Sequence, residues 1–195
     1  MRRCDPLLLQ APPLRGLESR YVEMILISDP RKRQLVQYAR AEGSLKLKGD
    51  SNKAGPAIEK FLAPLRNILG KSDTRYLDIS FGADWCAAFV YYLVMKAGYQ
   101  LNVKPFKNKR GTFGLVGIWL EWGAVENKFR GRSYEPEPGD LVLYDRLLSD
   151  SELDHIGIVL ENNGTYLLTA EGNVNNMTGL FERDKNNKIR GYVSL

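Results

Sequence analysis

Apolar residues at Phe89, Val90, Leu93, Val94 and Ala97 recur in steps of three and four. That is the period of one buried helix face, and it predicts a helix over 85–98 ended by Gly98. An earlier helix is expected over 30–42. Asp29 is its cap, Pro30 its first residue, and Leu35, Val36 and Ala39 its apolar face, with Gly43 as the stop. A polar connection at 45–52 leads to a helix over 56–69, with Ile58, Phe61, Leu62, Leu65 and Leu69 on one side. Pro64 should bend or split it. Residues 70–84 read as a surface crossing. Beyond Gly98 the pattern becomes irregular and basic through 101–138, with one short helix near 115–122. Glu135-Pro136-Glu137-Pro138-Gly139-Asp140 is a stiff turn, and four strands follow at 141–144, 155–160, 165–170 and 189–194. Asn163-Gly164 between the second and third is a hairpin signal. Helices first and antiparallel strands second give an α+β domain rather than a doubly wound one.

Composition narrows this picture. With 195 residues, 44% of them hydrophobic, one domain can build its core without disulfides or metal. Cys4, Cys86 and the single histidine, His155, give no zinc spacing, and no calcium loop of the EF-hand type is present. No apolar run approaches the roughly 20 residues of a membrane-spanning helix. The start resembles a signal sequence only briefly, because Asp5 intervenes and the apolar run stops at Gln10. Residues 1–29 are therefore expected to be a leader or a poorly ordered N-terminus, with Met24 as an internal start. Residues 30–195 are expected to form the domain. The net charge is +5. Much of it lies in Lys104, Lys107, Lys109, Arg110, Lys128, Arg130 and Arg132, against Glu121 and Glu126. This is either a solvated face or a site of attraction to a polyanion. Nucleic acid is a poor candidate, since no helix-turn-helix, finger or paired-aromatic pattern accompanies the charge.

The chemistry concentrates at three positions. Cys86 falls in the first turn of the 85–98 helix, where unpaired N–H groups and the helix dipole stabilise a thiolate. An inert buried thiol is the competing reading. His155 opens the strand that precedes the Asn163-Gly164 turn, and the next strand ends at Glu171-Gly172-Asn173. In an antiparallel hairpin the start of one strand lies beside the end of the other, so His155 and Glu171 should be neighbours. A carboxylate there would fix the tautomer of the ring and stabilise its charged form. A structural, half-buried histidine is the alternative.

With these pieces in place the chain resembles the CHAP family of cysteine- and histidine-dependent amidohydrolases/peptidases. That family is grouped with the NlpC/P60 proteins in the papain-like superfamily. The matching residues are Trp85-Cys86-Ala87-Ala88-Phe89-Val90, Pro138-Gly139-Asp140-Leu141-Val142-Leu143, Asp154-His155-Ile156-Gly157-Ile158-Val159 and Glu171-Gly172-Asn173. Ile189-Arg190-Gly191-Tyr192-Val193 is similar to the family's closing strand. Asp50-Ser51-Asn52-Lys53-Ala54-Gly55-Pro56 resembles an Asn-Gly-Pro segment of one bacterial and phage subgroup. Each piece is weak alone; their order and spacing over 33–195 are specific.

The resemblance implies a papain-like fold, with N-terminal helices on a small antiparallel sheet. It implies a Cys86 nucleophile, a His155 base and Glu171 as the orienting residue, with Asn173 as the alternative orienter. The implied substrate is bacterial peptidoglycan, cut at the muramoyl–L-alanine amide or within the stem and cross-bridge peptides, with no metal or organic cofactor. The Cys86 backbone N–H would help bind the oxyanion. Asp84 is a weaker candidate, because an ionised carboxylate would repel an oxyanion unless it were protonated or turned away. Trp85, Trp119, Trp122 and Tyr144 are candidates to face substrate, with core packing as the alternative. Asn175, with Asn173 and Asn176, either binds stem peptide or shapes a turn. An anionic wall polymer would suit the basic segment. A monomer is expected, acting at the wall of a bacterium after export or phage release. Two other functions stay open: a papain-like hydrolase or acyltransferase on a protein or small amide, and a wall-binding module without turnover.

Overall fold

The computed structural model describes residues 27–71, 73–101 and 112–195. Most of the expected leader, Cys4, and Lys104, Lys107, Lys109 and Arg110 of the basic segment lie outside the described residues. The described residues form an α+β fold. In chain order they are α1 (Pro30–Ser44), α2 (Glu59–Leu69), a 3-10 turn at Thr74–Leu77, α3 (Cys86–Lys96) and α4 (Val116–Val125). The strands follow: β1 (Phe129–Arg130), β2 (Leu141–Tyr144), β3 (His155–Asn162), β4 (Tyr166–Val174), β5 (Met177–Asp184) and β6 (Ile189–Val193). They make one antiparallel sheet in the order β1-β6-β2-β3-β4-β5.

Alternation along the strands divides the buried residues into two layers. Ile156, Ile158, Leu160 and Ala170 pack with Leu35, Ala39, Phe61, Phe89 and Leu93 of the helices. Val142, Tyr144, Val159, Leu167, Ile189 and Tyr192 form a smaller cluster of their own. Each large apolar side chain removed from water contributes about 1.5–3 kcal/mol. α3 is therefore a central element. Its residues 86–90, Leu93 and Val94 are all buried, which is broader than the single stripe expected.

The helix boundaries depart from expectation for local reasons. Asp29 does cap α1, its carboxylate accepting from Arg31 N at 2.8 Å. Gly43 does not end that helix. It lies inside it, where an added Cβ would meet Leu180 Cδ2 at 2.5 Å, so it permits close approach to β5. Pro64 neither splits α2 nor ends it. The proline is exposed, and Phe61, Leu62 and Leu65 bury on both sides of it, offsetting the lost backbone bond. The short β1 and the eight-residue β5 were not expected.

Two buried cations join distant segments. Lys32 of α1 donates to Asp140 at 2.7 Å in the turn before β2, and both side chains are buried. Tyr134 OH and Glu137 N donate to the other carboxylate oxygen. Arg66 of α2 pairs with Glu59 and donates to the carbonyls of Tyr76, Asp78, Ile79 and Phe81. That one guanidinium organises the crossing that leads to α3.

Candidate active site

The site forms where α3 begins and β4 ends. Gly172 lets the two approach: an added Cβ would meet Phe89 Cβ at 2.6 Å and Trp85 Cζ3 at 2.7 Å. Cys86 is the first residue of α3, and no side chain caps that end. The N–H groups of the first turn and the positive end of the dipole therefore face the thiol without a competing carboxylate. Cys86 lies close enough to His155 to favour its charged ring, and His155 Nε2 lies 2.8 Å from Glu171 Oε2. With Nε2 committed to Glu171, Nδ1 is the nitrogen left for Cys86.

Strand register explains the second contact. Ile158 pairs with Ala170, so continuing the ladder by one residue sets Gly157 beside Glu171. Gly157 has no side chain, and Glu171 uses that space to lean towards His155. One step further would set His155 beside Asn173. There the strand turns: Asn173 has φ +63°, and the register shifts between Glu171 and Val174. The Asn173 amide instead donates to Asp84 at 3.0 Å.

Glu171 and His155 are both fully buried. Burial opposes charge on Glu171, but hydrogen bonds and charge from Arg183 and His155 overcome it and bring its pKa down to about 2. Burial likewise opposes charge on His155, but bonds to Cys86 and Glu171 raise its pKa to about 9. The imidazole is thus held protonated through neutral pH. Two residues not anticipated from the sequence complete the carboxylate's partners. Thr169 Oγ1 donates to Glu171 Oε1 at 2.6 Å, and Arg183 binds both oxygens, Nε at 2.9 Å and Nη2 at 2.6 Å. Arg183 lies on β5, and the Asn175-Asn176 pair before that strand was the available signal. Both asparagines have positive φ and close the β4–β5 hairpin.

A polar pocket opens beside His155, lined in part by Lys53, Asp84, Ser149, Asn173 and Asn175. Asp84 is an exposed carboxylate, kept below its usual pKa by the Lys53 ammonium at 2.5 Å and by the Asn173 amide. It is therefore neither protonated nor a donor to an oxyanion. Asp154 accepts from the N–H groups of Leu147, Leu148 and Ser149 and shapes the loop at the pocket rim. A larger cavity, lined by Ile27, Lys32, Glu137 and Leu195 among others, lies elsewhere and contains none of the candidate residues.

The aromatic candidates are packing residues instead. Trp85 is fully buried, stacked on Phe61 and donating from Nε1 to Asn176 at 3.1 Å. Trp122 is buried against Phe113 and Trp119. Tyr144 is buried behind the site, its ring stacked on His155 with centroids 6.1 Å apart. Large aromatic rings gain most from burial, and the two core layers take them. Asn175 both shapes the hairpin turn and lines the pocket. In the basic segment, Lys128, Arg130 and Arg132 each donate to a main-chain carbonyl, of Ser194, Asn127 and Ile189 respectively. No helix among the described residues is long and apolar enough to cross a membrane.

No curated protein and no solved structure matches the chain. The family model of the CHAP domain matches residues 78–173, from the crossing held by Arg66 to the asparagine just beyond Glu171. That match supports assigning residues 78–173 to the CHAP domain family.

Proposed function

We propose that this protein is a cysteine-dependent amidase or peptidase that hydrolyses an amide bond of bacterial peptidoglycan, with a papain-like arrangement of its site. CHAP domains are generally hydrolases of this class. The observation that carries the reading is the buried His155–Glu171 pair close to a cysteine at an uncapped helix start.

In this reading the protonated imidazole and Cys86 form a thiolate–imidazolium pair, and the thiolate attacks the amide carbonyl. The Cys86 backbone N–H, aligned with the helix dipole, stabilises the oxyanion. His155 gives its Nδ1 proton to the departing amine. The neutral ring then takes a proton from water, the resulting hydroxide attacks the thioester, and the acid product leaves with Cys86 restored. Glu171 holds Nε2–H throughout. The polar pocket of Asp84, Lys53, Asn173 and Asn175 takes the peptide's main-chain and charged groups. The buried tryptophans have no part in binding.

The test is incubation with purified peptidoglycan and mass analysis of the products, comparing folded wild type with folded Cys86→Ala. Wild type should release new muramoyl termini if it is an amidase, or new peptide termini if it is an endopeptidase. The variant should lose at least about 10³-fold in rate, as removal of a covalent nucleophile does. Equal rates would overturn the nucleophile assignment. A Cys86 that is selectively and pH-dependently alkylated, in a protein inert to peptidoglycan, would move the substrate to another amide.

A further inference from the structure

We propose that Arg183 is a positioning residue of this site, fixing the Glu171 carboxylate in the orientation that holds His155. The inference rests on the Cys86–His155–Glu171 reading of the site. Glu171 has two oxygens with different neighbours. Oε1 accepts from Thr169 Oγ1 and Arg183 Nε, whereas Oε2 accepts from Arg183 Nη2 and His155 Nε2. Only Arg183 among these partners touches both oxygens, so its planar fork sets the plane of the carboxylate. The guanidinium is itself held. Its Cζ lies 4.8 Å from the Phe181 ring centre, and that ring folds over Gly179, where an added Cβ would meet it at 2.4 Å. The side chain is 18% exposed and the carboxylate 0%.

Charge gives Arg183 a second task. When His155 passes its proton to the leaving amine, it becomes neutral. A buried Glu171 with no other cation would then be an unpaired charge and would take up a proton. A protonated carboxyl donates where the neutral ring needs an acceptor, and the Nε2–H tautomer would be lost just before water is activated. Arg183 keeps Glu171 ionised while the ring is neutral. The depressed pKa of Glu171 is consistent with this role. The other titratable groups around the pair are Tyr144 from β2, His155 from β3 and Cys86 from α3.

The chain has one histidine, so nitrogen NMR of histidine-labelled protein reads His155 without assignment. The measurement is made on Cys86→Ala protein carrying wild-type Arg183, Arg183→Met or Arg183→Lys, with folding checked by thermal melting. It needs no substrate, so its result is independent of whether peptidoglycan is the target. Above the ring's titration, protein with Arg183 should show only the Nε2–H tautomer. Arg183→Met should show a mixture of both tautomers. In the active background, the same change should lower kcat by about 10²-fold with KM little changed, as loss of alignment does. Arg183→Lys, which keeps the charge without the fork, should recover part of both. A folded Arg183→Met protein with a single Nε2–H tautomer and wild-type kcat would overturn the proposal. If Arg183→Met does not fold, Arg183→Lys decides: wild-type tautomer and kcat overturn the positioning role, and a mixture with reduced kcat supports it.

Discussion

Gly157 and Glu171 occupy the same space: a Cβ built on Gly157 would lie 2.9 Å from Glu171 Cγ. The glycine is therefore a requirement of the carboxylate's position. Gly157→Ala should force the Glu171 side chain away from His155 while leaving the backbone of β3 allowed. The variant should fold, with a loss of about 1–3 kcal/mol from overpacking, and turnover should fall by about 10²-fold. Denaturant unfolding and peptidoglycan assays check the two halves. Wild-type turnover in Gly157→Ala would mean that the Glu171–His155 contact does not matter to the reaction.

Glu171 and Asn173 should separate cleanly on substitution. Glu171→Gln removes the charge shared by His155 and Arg183 and leaves a mostly covered guanidinium without its carboxylate. Breaking a buried pair in this way costs about 3–5 kcal/mol, and turnover should nearly vanish. Asn173→Gly removes a pocket-lining amide bonded to exposed Asp84, and glycine tolerates φ +63°. Its stability should change by less than about 1 kcal/mol, and kcat should stay near wild type while KM rises. A crippled Asn173→Gly beside a healthy Glu171→Gln would reverse their roles.

The two buried titrating groups set limits on stability from opposite sides. Glu171 falls from an ordinary 4.5 to about 2, so its contribution is present above pH 4.5 and is lost as pH drops through about 2. His155 rises from 6.5 to about 9, so its contribution is complete below pH 6.5 and is lost as pH climbs through about 9. Melting temperature followed across pH should be flat, as far as these groups decide it, between about 4.5 and 6.5, and decline on either side. In Glu171→Gln the acid decline should shrink. A wild-type melting temperature unchanged between pH 6.5 and 9 would contradict the raised pKa of His155.

What could be read from the chain was local. The steps of three and four after Cys86 define α3, and Asn163-Gly164 fixes a hairpin tight enough to bring His155 towards Glu171. That Glu171 would lie beside His155 was also legible, though the reason Asn173 does not was not. The cause is the missing side chain at Gly157 and the left-handed turn at Asn173. Side chains that reach across the fold left no pattern. Arg183, Lys32 and Arg66 each look like surface charges in sequence, because nothing local says which cation will find a buried carboxylate or carbonyl. Trp85, Trp122 and Tyr144 show the same limit in reverse. Position next to a site does not distinguish a ring that lines it from one that supports it from behind.

The span that carries the family likeness, 78–173, contains Cys86, His155 and Glu171 but not what holds them. Cations of both flanking stretches reach in: Lys32 to Asp140 and Arg66 to the crossing before α3 from the first, and Arg183 to Glu171 from the second. The C-terminal flank also supplies β5 and β6, which lie on the two sides of β2-β3-β4. Cut out by itself, the matched span would keep β2, β3 and nearly all of β4 as a paired sheet with both edges open, and β1 without its partner β6; such edges pair with other chains. The smallest autonomous unit of this protein is thus larger than its recognisable core. A fragment chosen by likeness alone would carry Cys86, His155 and Glu171 into an aggregate.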